Sequence, residues 1–412
     1  MKFEAPRGTQ DVLPSQQPLW ERVIAEAERL CATYGYRRIT TPLFEDTELF
    51  TRTSGEGSDI VQKEMYTFTD RGDRSLTLRP EGTAPVARAY VEHGLHREPQ
   101  PVKTFFIGPV YRYSAPQRGK YREFWQFNVE AMGSDDPAVD AEVIQLFDEL
   151  LRRLAIRGVW LELNSIGDRK CRPAYLEHLN AWLDEHAEEL DEDTLSKRRT
   201  SPLRVFDNLE QKPDPVRRAL ESAPKIGESL CDDCQQHFAA VRRYLDAYGV
   251  DYRLKPTLVR GLDYYTRTTF EFMAEPLGAQ LSLAGGGRYD YLVEEIGGPP
   301  TPAVGFACGI DRVVLTLREQ GVEPEAPEID VFFAVDDDEM RPEVLAALAE
   351  LRRSGRAADT DYAGRSLKGQ LTQAGRLGAR VTVIARDGRA TVRRPGEKDV
   401  EVGTLEEALE LV

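Results

Sequence analysis

The strongest constraint on this chain is a strand, basic loop, strand pattern that fills residues 103–131. Apolar, aromatic and β-branched residues dominate 103–113 and 124–131, and Arg118, Lys120 and Arg122 stand between the two runs. A period of two then puts Gln126, Asn128 and Glu130 on one face of the returning strand, with Phe127 and Val129 on the other. Such a face either lines a polar cleft or is the solvated side of a hairpin, and the pattern alone leaves both open.

Further strand patterns at 37–42, 75–78, 160–164, 269–273 and 280–283 accompany it. Helical spacing appears after Ser15 and Pro18, where Leu19, Val23, Ala27, Leu30, Cys31 and Tyr34 recur until Gly35. It returns after the Asp136-Pro137 cap, where Val143, Phe147, Leu150, Leu151 and Leu154 form a stripe. Residues 168–248 are charge-rich and helical, as at 175–190 and 216–220, and read as an inserted module. The glycines at 285–287 suit a tight turn or a close backbone approach, and 310–320 reads as a helix. Residues 322–328, with Pro324 and Pro327, read as a linker. Beyond it, strands at 329–335, near Ala357 and at 381–385 alternate with helices at 342–353 and 367–377, which predicts a small, mostly parallel sheet.

A chain of 412 residues, 30% charged and 41% hydrophobic, has room for two or three domains. No run approaches the ~18 apolar residues of a membrane span, and the first residues carry charge where a signal peptide needs its apolar core. Five cysteines do not suit a disulfide framework, so reduced thiols and a cytoplasmic setting are expected. The net charge of −16 opposes indiscriminate adhesion to nucleic acid. Yet residues 365–394 hold eight basic residues against Asp387 alone, either a solvated face or a phosphate-binding surface.

No glycine-rich nucleotide fingerprint stands in a fitting context, so a phosphate site here must be built from arginines. Arg112, Arg118, Lys120 and Arg122 belong to the basic hairpin, and Arg260 lies beside Tyr264 and Tyr265. Arg312 stands at a strand-to-helix junction, where free amides favour anions, though an ordinary salt bridge explains it as well. Cys231, Cys234 and His237 offer only three metal ligands without a second pair, which favours a structural role and assigns no metal site. The five histidines form no nucleophile pattern. Catalysis by positioning and charge neutralisation remains.

In this order the segments resemble the class II aminoacyl-tRNA synthetases, and within them the histidyl-tRNA synthetase family, over nearly the whole chain. Gly35-Tyr36 through Pro42-Leu43-Phe44-Glu45 is similar to motif 1, Arg112 through Glu130 to motif 2, and Gly305 through Arg312 to motif 3. Leu258 through Tyr265 and Gly286-Gly287-Arg288-Tyr289-Asp290 resemble the two signatures peculiar to the histidine enzymes.

The resemblance implies an α+β fold. An antiparallel catalytic sheet with flanking helices would occupy 1–167 and 249–321, a helical insertion 168–248, and a small α/β anticodon-binding domain 329–412. It implies a homodimer assembled partly through motif 1, with histidine, ATP and a histidine tRNA as substrates and Mg²⁺ as cofactor. By position, Glu81, Thr83 and Gln126 would receive the histidine α-amino group, and Glu130, Tyr264, Tyr265 and Tyr289 would surround the imidazole. Arg112 and Arg260 would be catalytic, with Arg112 on the α-phosphate and Arg260 where carboxylate meets phosphate. Arg312 would take the γ-phosphate, and Lys120 and Arg122 would join ATP binding. The chain departs from the family at Arg112-Tyr113-Ser114-Ala115-Pro116-Gln117, which lacks the usual glutamate and following arginine. Lys120, Trp125 and Tyr291 replace a usual arginine, histidine and glycine. The alternative is a paralogue that senses histidine without aminoacylation, the regulatory subunit of ATP phosphoribosyltransferase, which typically lacks the anticodon domain.

Overall fold

In the computed structural model the periodic segment after Ser15 is a helix, Gln17–Thr33, that buries Leu19, Val23, Ala27, Leu30 and Cys31. The structure describes residues 3–55, 58, 60–115, 118–207, 209–275, 281–323 and 329–412; Pro116, Gln117, Gln280 and the linker residues 324–328 lie outside them. The described residues fall into two compact units. One holds the chain up to Glu323 apart from Pro14–Pro18, and the other holds Pro14–Pro18 and the described residues after Glu323.

The first unit is organised by a sheet of eight strands among the described residues. Their order is Arg37–Arg38, Val102–Tyr111, Glu123–Met132, Ala303–Gly309, Leu281–Arg288, Thr266–Ala274, Val159–Ser165 and Arg253–Leu254. The inner ladders are antiparallel, and only the two short outermost strands pair in parallel. Alternation divides its faces. Phe127, Val129, Leu161, Leu163, Phe270, Phe272 and Phe306 turn to one side, where helices Gln17–Thr33, Pro137–Arg153, Asp232–Tyr248 and Ile310–Glu319 complete the core. Asp136 caps the second of these by accepting from the Ala138 amide at 2.9 Å. Gln126, Asn128 and Glu130 turn to the other side and are buried, so the solvated-hairpin alternative does not hold.

The strand expected over 37–42 stops at Arg38 for a physical reason. The Arg79 guanidinium takes the Thr41 and Pro42 carbonyls at 2.9 and 3.2 Å, so these acceptors no longer serve a sheet ladder. The chain instead enters a separate three-stranded sheet, Phe44–Asp46, Ser75–Leu78 and Tyr66–Thr69, whose first and last strands are too short to show a period of two in the sequence. The glycines 285–287 are likewise not a turn. They lie inside strand Leu281–Arg288, paired on both edges.

Residues 168–248 contain helices Arg172–Glu185, Glu192–Thr200, Asp214–Ser222 and Asp232–Tyr248, and Leu179, Leu183, Val205, Phe206 and Leu220 form a core of their own. In the second unit, strands Ala358–Thr360, Val331–Val335 and Val381–Arg386 are parallel, with helices Arg341–Arg353 and Leu367–Arg376 between them in sequence. The expected parallel character is only half right. Arg389–Arg393 and Val400–Val402 extend the sheet in antiparallel sense, through a two-residue turn at Asp387-Gly388, both at positive φ.

Candidate active site

The polar face of the central sheet carries a cluster of polar and charged side chains with two chemically distinct ends. At the first, helix Thr83–Glu92 starts beside strand Glu123–Met132. Glu81 accepts from the amides of Thr83 and Ala84 at 2.7 and 2.8 Å, which binds its carboxylate to the helix N-terminus. The Thr83 hydroxyl donates to Glu130 at 2.6 Å, and the Tyr289 hydroxyl donates to the other Glu130 oxygen. Burial, with Glu81 close by, pushes the Glu130 carboxyl up to about 8 against the pull of those two hydrogen bonds. Tyr264 completes this end, its ring 4.6 Å from that of Tyr265 and 5.7 Å from that of Tyr289. Burial holds all three phenols above their ordinary range, so they stay protonated donors. The buried Gln126 carbonyl oxygen has no hydrogen-bond partner, an acceptor left for a ligand.

The second end is cationic. Arg112 follows strand Val102–Tyr111, donates to the Pro80 carbonyl at 2.7 Å and lies over the Phe124 ring. Arg312, in the first turn of helix Ile310–Glu319, donates to the Ser282 and Gly119 carbonyls at 2.6 and 3.2 Å. Neither has an acidic partner within ion-pair distance among the described residues. Burial disfavours both charges, and the Arg260 charge at Arg112 and the Arg112 charge at Arg312 add to it. Arg260 is paired with Glu271 at 2.9 Å, yet its buried Nε has no acceptor. Here the glycine run finds its purpose: a Cβ on Gly285 would stand 2.0 Å from an Arg260 Nη, so only glycine lets the guanidinium lie against the strand. Three guanidiniums held in one another's field, with donors unspent, attract a polyanion or a carboxylate next to one.

The family described as histidyl-tRNA synthetase matches residues 8–313, a span that holds every residue of this site. The chain belongs to the histidyl-tRNA synthetase family. A histidine–tRNA ligase of Natranaerobius thermophilus is 45% identical over 98% of this chain and 96% of its own length. That of Halothermothrix orenii is 46% identical over the whole of both chains. A crystal structure of apo histidyl-tRNA synthetase from S. aureus, 36% identical, superposes with a TM-score of 0.83 over 100% of this chain and 99% of its own.

The family's motif loop is the part least committed to the site. Lys120 reaches Glu64 at 3.7 Å, and Arg118 pairs with Glu319. Arg122 stacks on Tyr113 and donates to the Ser114 and Arg7 carbonyls at 3.3 Å, tying the loop to the N-terminal arm. His237 is not beside Cys231 and Cys234 as a shared ligand set requires; its imidazole bonds Asp140 at 2.8 Å. Two features of this region went unnoticed in the sequence. Glu271, the partner of Arg260, alternates with the core residues Phe270 and Phe272, and a carboxylate in so apolar a strand was the available signal. Arg288 turns away from the site entirely. It is fully buried and bonds Asp140 on helix Pro137–Arg153 at 3.0 Å, and Arg288 and His237 together hold Asp140 at about 2 despite its burial.

Proposed function

We propose that the chain joins histidine to ATP as histidyl-adenylate, releasing pyrophosphate, and passes the histidyl group to the 3′ end of its tRNA. It is an ATP-dependent aminoacyl-tRNA ligase. The observation that carries this reading is the pairing, on one face of the sheet, of a hydrogen-bonding end built on Glu81 and Glu130 with an arginine cluster whose donors are unspent.

Glu130 and the hydroxyls of Tyr264, Tyr265 and Tyr289 enclose the imidazole, whose two nitrogens are told apart by an acceptor on one side and a hydroxyl on the other. Glu81, Thr83 and the unpartnered Gln126 oxygen take the α-ammonium. That leaves the histidine carboxylate directed at the arginines. One carboxylate oxygen forms the bond to the α-phosphorus as the bond to pyrophosphate breaks, and no base is needed because the nucleophile is already ionised. The barrier is the approach of two anions. Arg112 on the α-phosphate, Arg260 between carboxylate and phosphate, and Arg312 on the γ-phosphate neutralise it, and alignment removes roughly 7 kcal/mol or more in favourable cases. Lys120 and Arg122 bound the ATP side, Arg122 with two donors already used by the chain.

Mg²⁺ fits this end: Glu271 supplies a carboxylate beside Arg260, and such a cation takes most of its oxygens from phosphate and water. When bound, it neutralises phosphate charge alongside the arginines.

Residues 329–412 serve the anticodon end of the tRNA. Of the basic stretch, Arg365, Arg380, Arg386 and Arg393 pair with Asp361, Asp330, Asp336 and Asp399, while Lys368, Arg376 and Arg389 are exposed without a partner among the described residues. These three are the phosphate contacts. The chain acts as a homodimer in the cytoplasm. Exposed Leu43, Phe44 and Phe68, the last two with rings 6.3 Å apart, support the first statement, and five unpaired cysteines suit the second. No helix among the described residues is long and apolar enough to cross a membrane.

The test is exchange of labelled pyrophosphate into ATP, run with each of the twenty amino acids. Histidine alone supports exchange. Exchange driven by another amino acid contradicts the reading, and none at all, from folded protein that still binds histidine, favours the regulatory paralogue.

A further inference from the structure

At the root of the helical insertion four donor atoms converge. The Asp168 carboxylate and the thiols of Cys171, Cys231 and Cys234 all lie within 4.8 Å of one another. They come from two distant stretches of chain. Asp168 and Cys171 follow strand Val159–Ser165, where the chain leaves the sheet, and Cys231 and Cys234 open helix Asp232–Tyr248, by which it returns. Asp168, Cys171 and Cys234 are buried and Cys231 is half-buried. None belongs to the site described above.

The spacing discriminates between fates for these thiols. The Cys171 and Cys234 sulfurs are 3.9 Å apart. A disulfide brings sulfurs to about 2.05 Å. Thiolates at about 2.3 Å from one tetrahedral Zn²⁺ stand about 3.8 Å from each other. The surroundings also suit an anionic ligand set. The Asp168 amide donates to the Cys171 sulfur at 3.4 Å, the Lys170 amide donates to Asp168 at 2.9 Å, and Arg267 lies 3.5 Å from the same carboxylate. Such partners orient ligands and offset the excess negative charge that three thiolates and a carboxylate bring to a dication. Gly167 makes the turn possible, since a Cβ there would stand 2.6 Å from the Cys171 sulfur.

We propose that Asp168, Cys171, Cys231 and Cys234 form a structural Zn²⁺ site that clasps the two ends of the helical insertion. Each thiol gives up its proton to solvent as the Zn–S bond forms, and no electron is transferred. Four protein ligands leave no open position, so the site holds structure and performs no chemistry on substrate.

Full-length protein, purified under reducing conditions and incubated with ZnCl₂, then freed of unbound metal, is analysed by plasma mass spectrometry. About one zinc per chain is retained. The double variant Cys231→Ser, Cys234→Ser retains none, and Asp168→Cys, which completes a four-thiolate set, retains it fully. If the double variant does not fold, Co²⁺ added to the wild-type chain decides the matter: thiolate-to-metal charge-transfer bands and the intense visible bands of tetrahedral cobalt appear, and Zn²⁺ bleaches them. Wild-type protein with reduced thiols that takes up neither metal overturns the proposal. So does a Cys231–Cys234 or Cys171–Cys234 disulfide in the protein after zinc incubation, which would make the cluster a redox pair.

Discussion

Arg288 and Arg260 are both arginines drawn out of bulk water beside a carboxylate, yet their accounts differ. Arg288 is fully buried and every nitrogen is used: Nε on Asp140, Nη1 on the Ser134 carbonyl and Asp290, Nη2 on Asp140 and the Asp136 carbonyl. Arg260 has one carboxylate within ion-pair distance among the described residues, Glu271, with Asp207 acting on it from further off; its buried Nε has no acceptor, and its charge acts on Arg112, which in turn acts on Arg312. A buried charge that is fully paired belongs to the scaffold, whereas one left with surplus donors is set for an incoming anion. Arg288 ends strand Leu281–Arg288 and the Arg260 guanidinium lies against Gly285 of the same strand, so place in the fold alone does not distinguish them. Hydrogen-bond satisfaction does.

The largest effect should fall on the scaffold pair. Asp140→Ala strands a buried guanidinium and costs about 3–5 kcal/mol in urea unfolding, with turnover per folded molecule unchanged. Lost turnover at unchanged stability would break the comparison.

Glu130→Gln sharpens it at the neutral end. The exchange kcat/KM for histidine falls roughly 10- to 100-fold, the equivalent of about 1.5–3 kcal/mol, because the amide NH₂ replaces an acceptor and leaves buried donors facing one another. The same variant changes the pH dependence of stability. Because Glu130 is raised from 4.5 to about 8 in the fold, the folded chain holds more protons than the unfolded one between those values. Its contribution is therefore full below pH 4.5 and is lost as pH rises toward about 8. Thermal unfolding across that window shows a downward slope in the wild type that Glu130→Gln flattens.

A smaller effect comes from Gly285→Ala. The added methyl displaces Arg260 without removing its charge, so exchange kcat falls by roughly tenfold, about 1.4 kcal/mol, with the melting temperature nearly constant. An unchanged kcat would show that the position of Arg260 against the strand is immaterial.

Much of this was readable from local pattern, and most of what was missed depends on distant side chains. Glu130 announced itself through alternation with Phe127 and Val129, since period two is imposed by the backbone. The N-terminal helix and the Asp136 cap were likewise local facts. The Arg288–Asp140 pair joins positions 148 residues apart, and no spacing rule connects a strand-end arginine to a helical aspartate. The length of the strand after Arg37 was settled by Arg79, again a distant side chain. The antiparallel extension of the second sheet was different: Asp387-Gly388 is a strong hairpin signal, obscured by the arginines around it. For the metal cluster, sequence offered Cys231, Cys234 and His237, and only folding could substitute Asp168 and Cys171 for the histidine.

The most direct test of the surplus-donor argument is single-turnover formation of histidyl-adenylate by Arg260→Ala at saturating histidine and ATP, with histidine affinity and melting temperature measured on the same preparation. Adenylate formation slows by about 10²–10³-fold while affinity and stability hold, as expected when a group that neutralises charge in the transition state is removed. Adenylate formed at the wild-type rate, or a loss that appears only as unfolding, would place Arg260 with Arg288 in the scaffold and contradict the account.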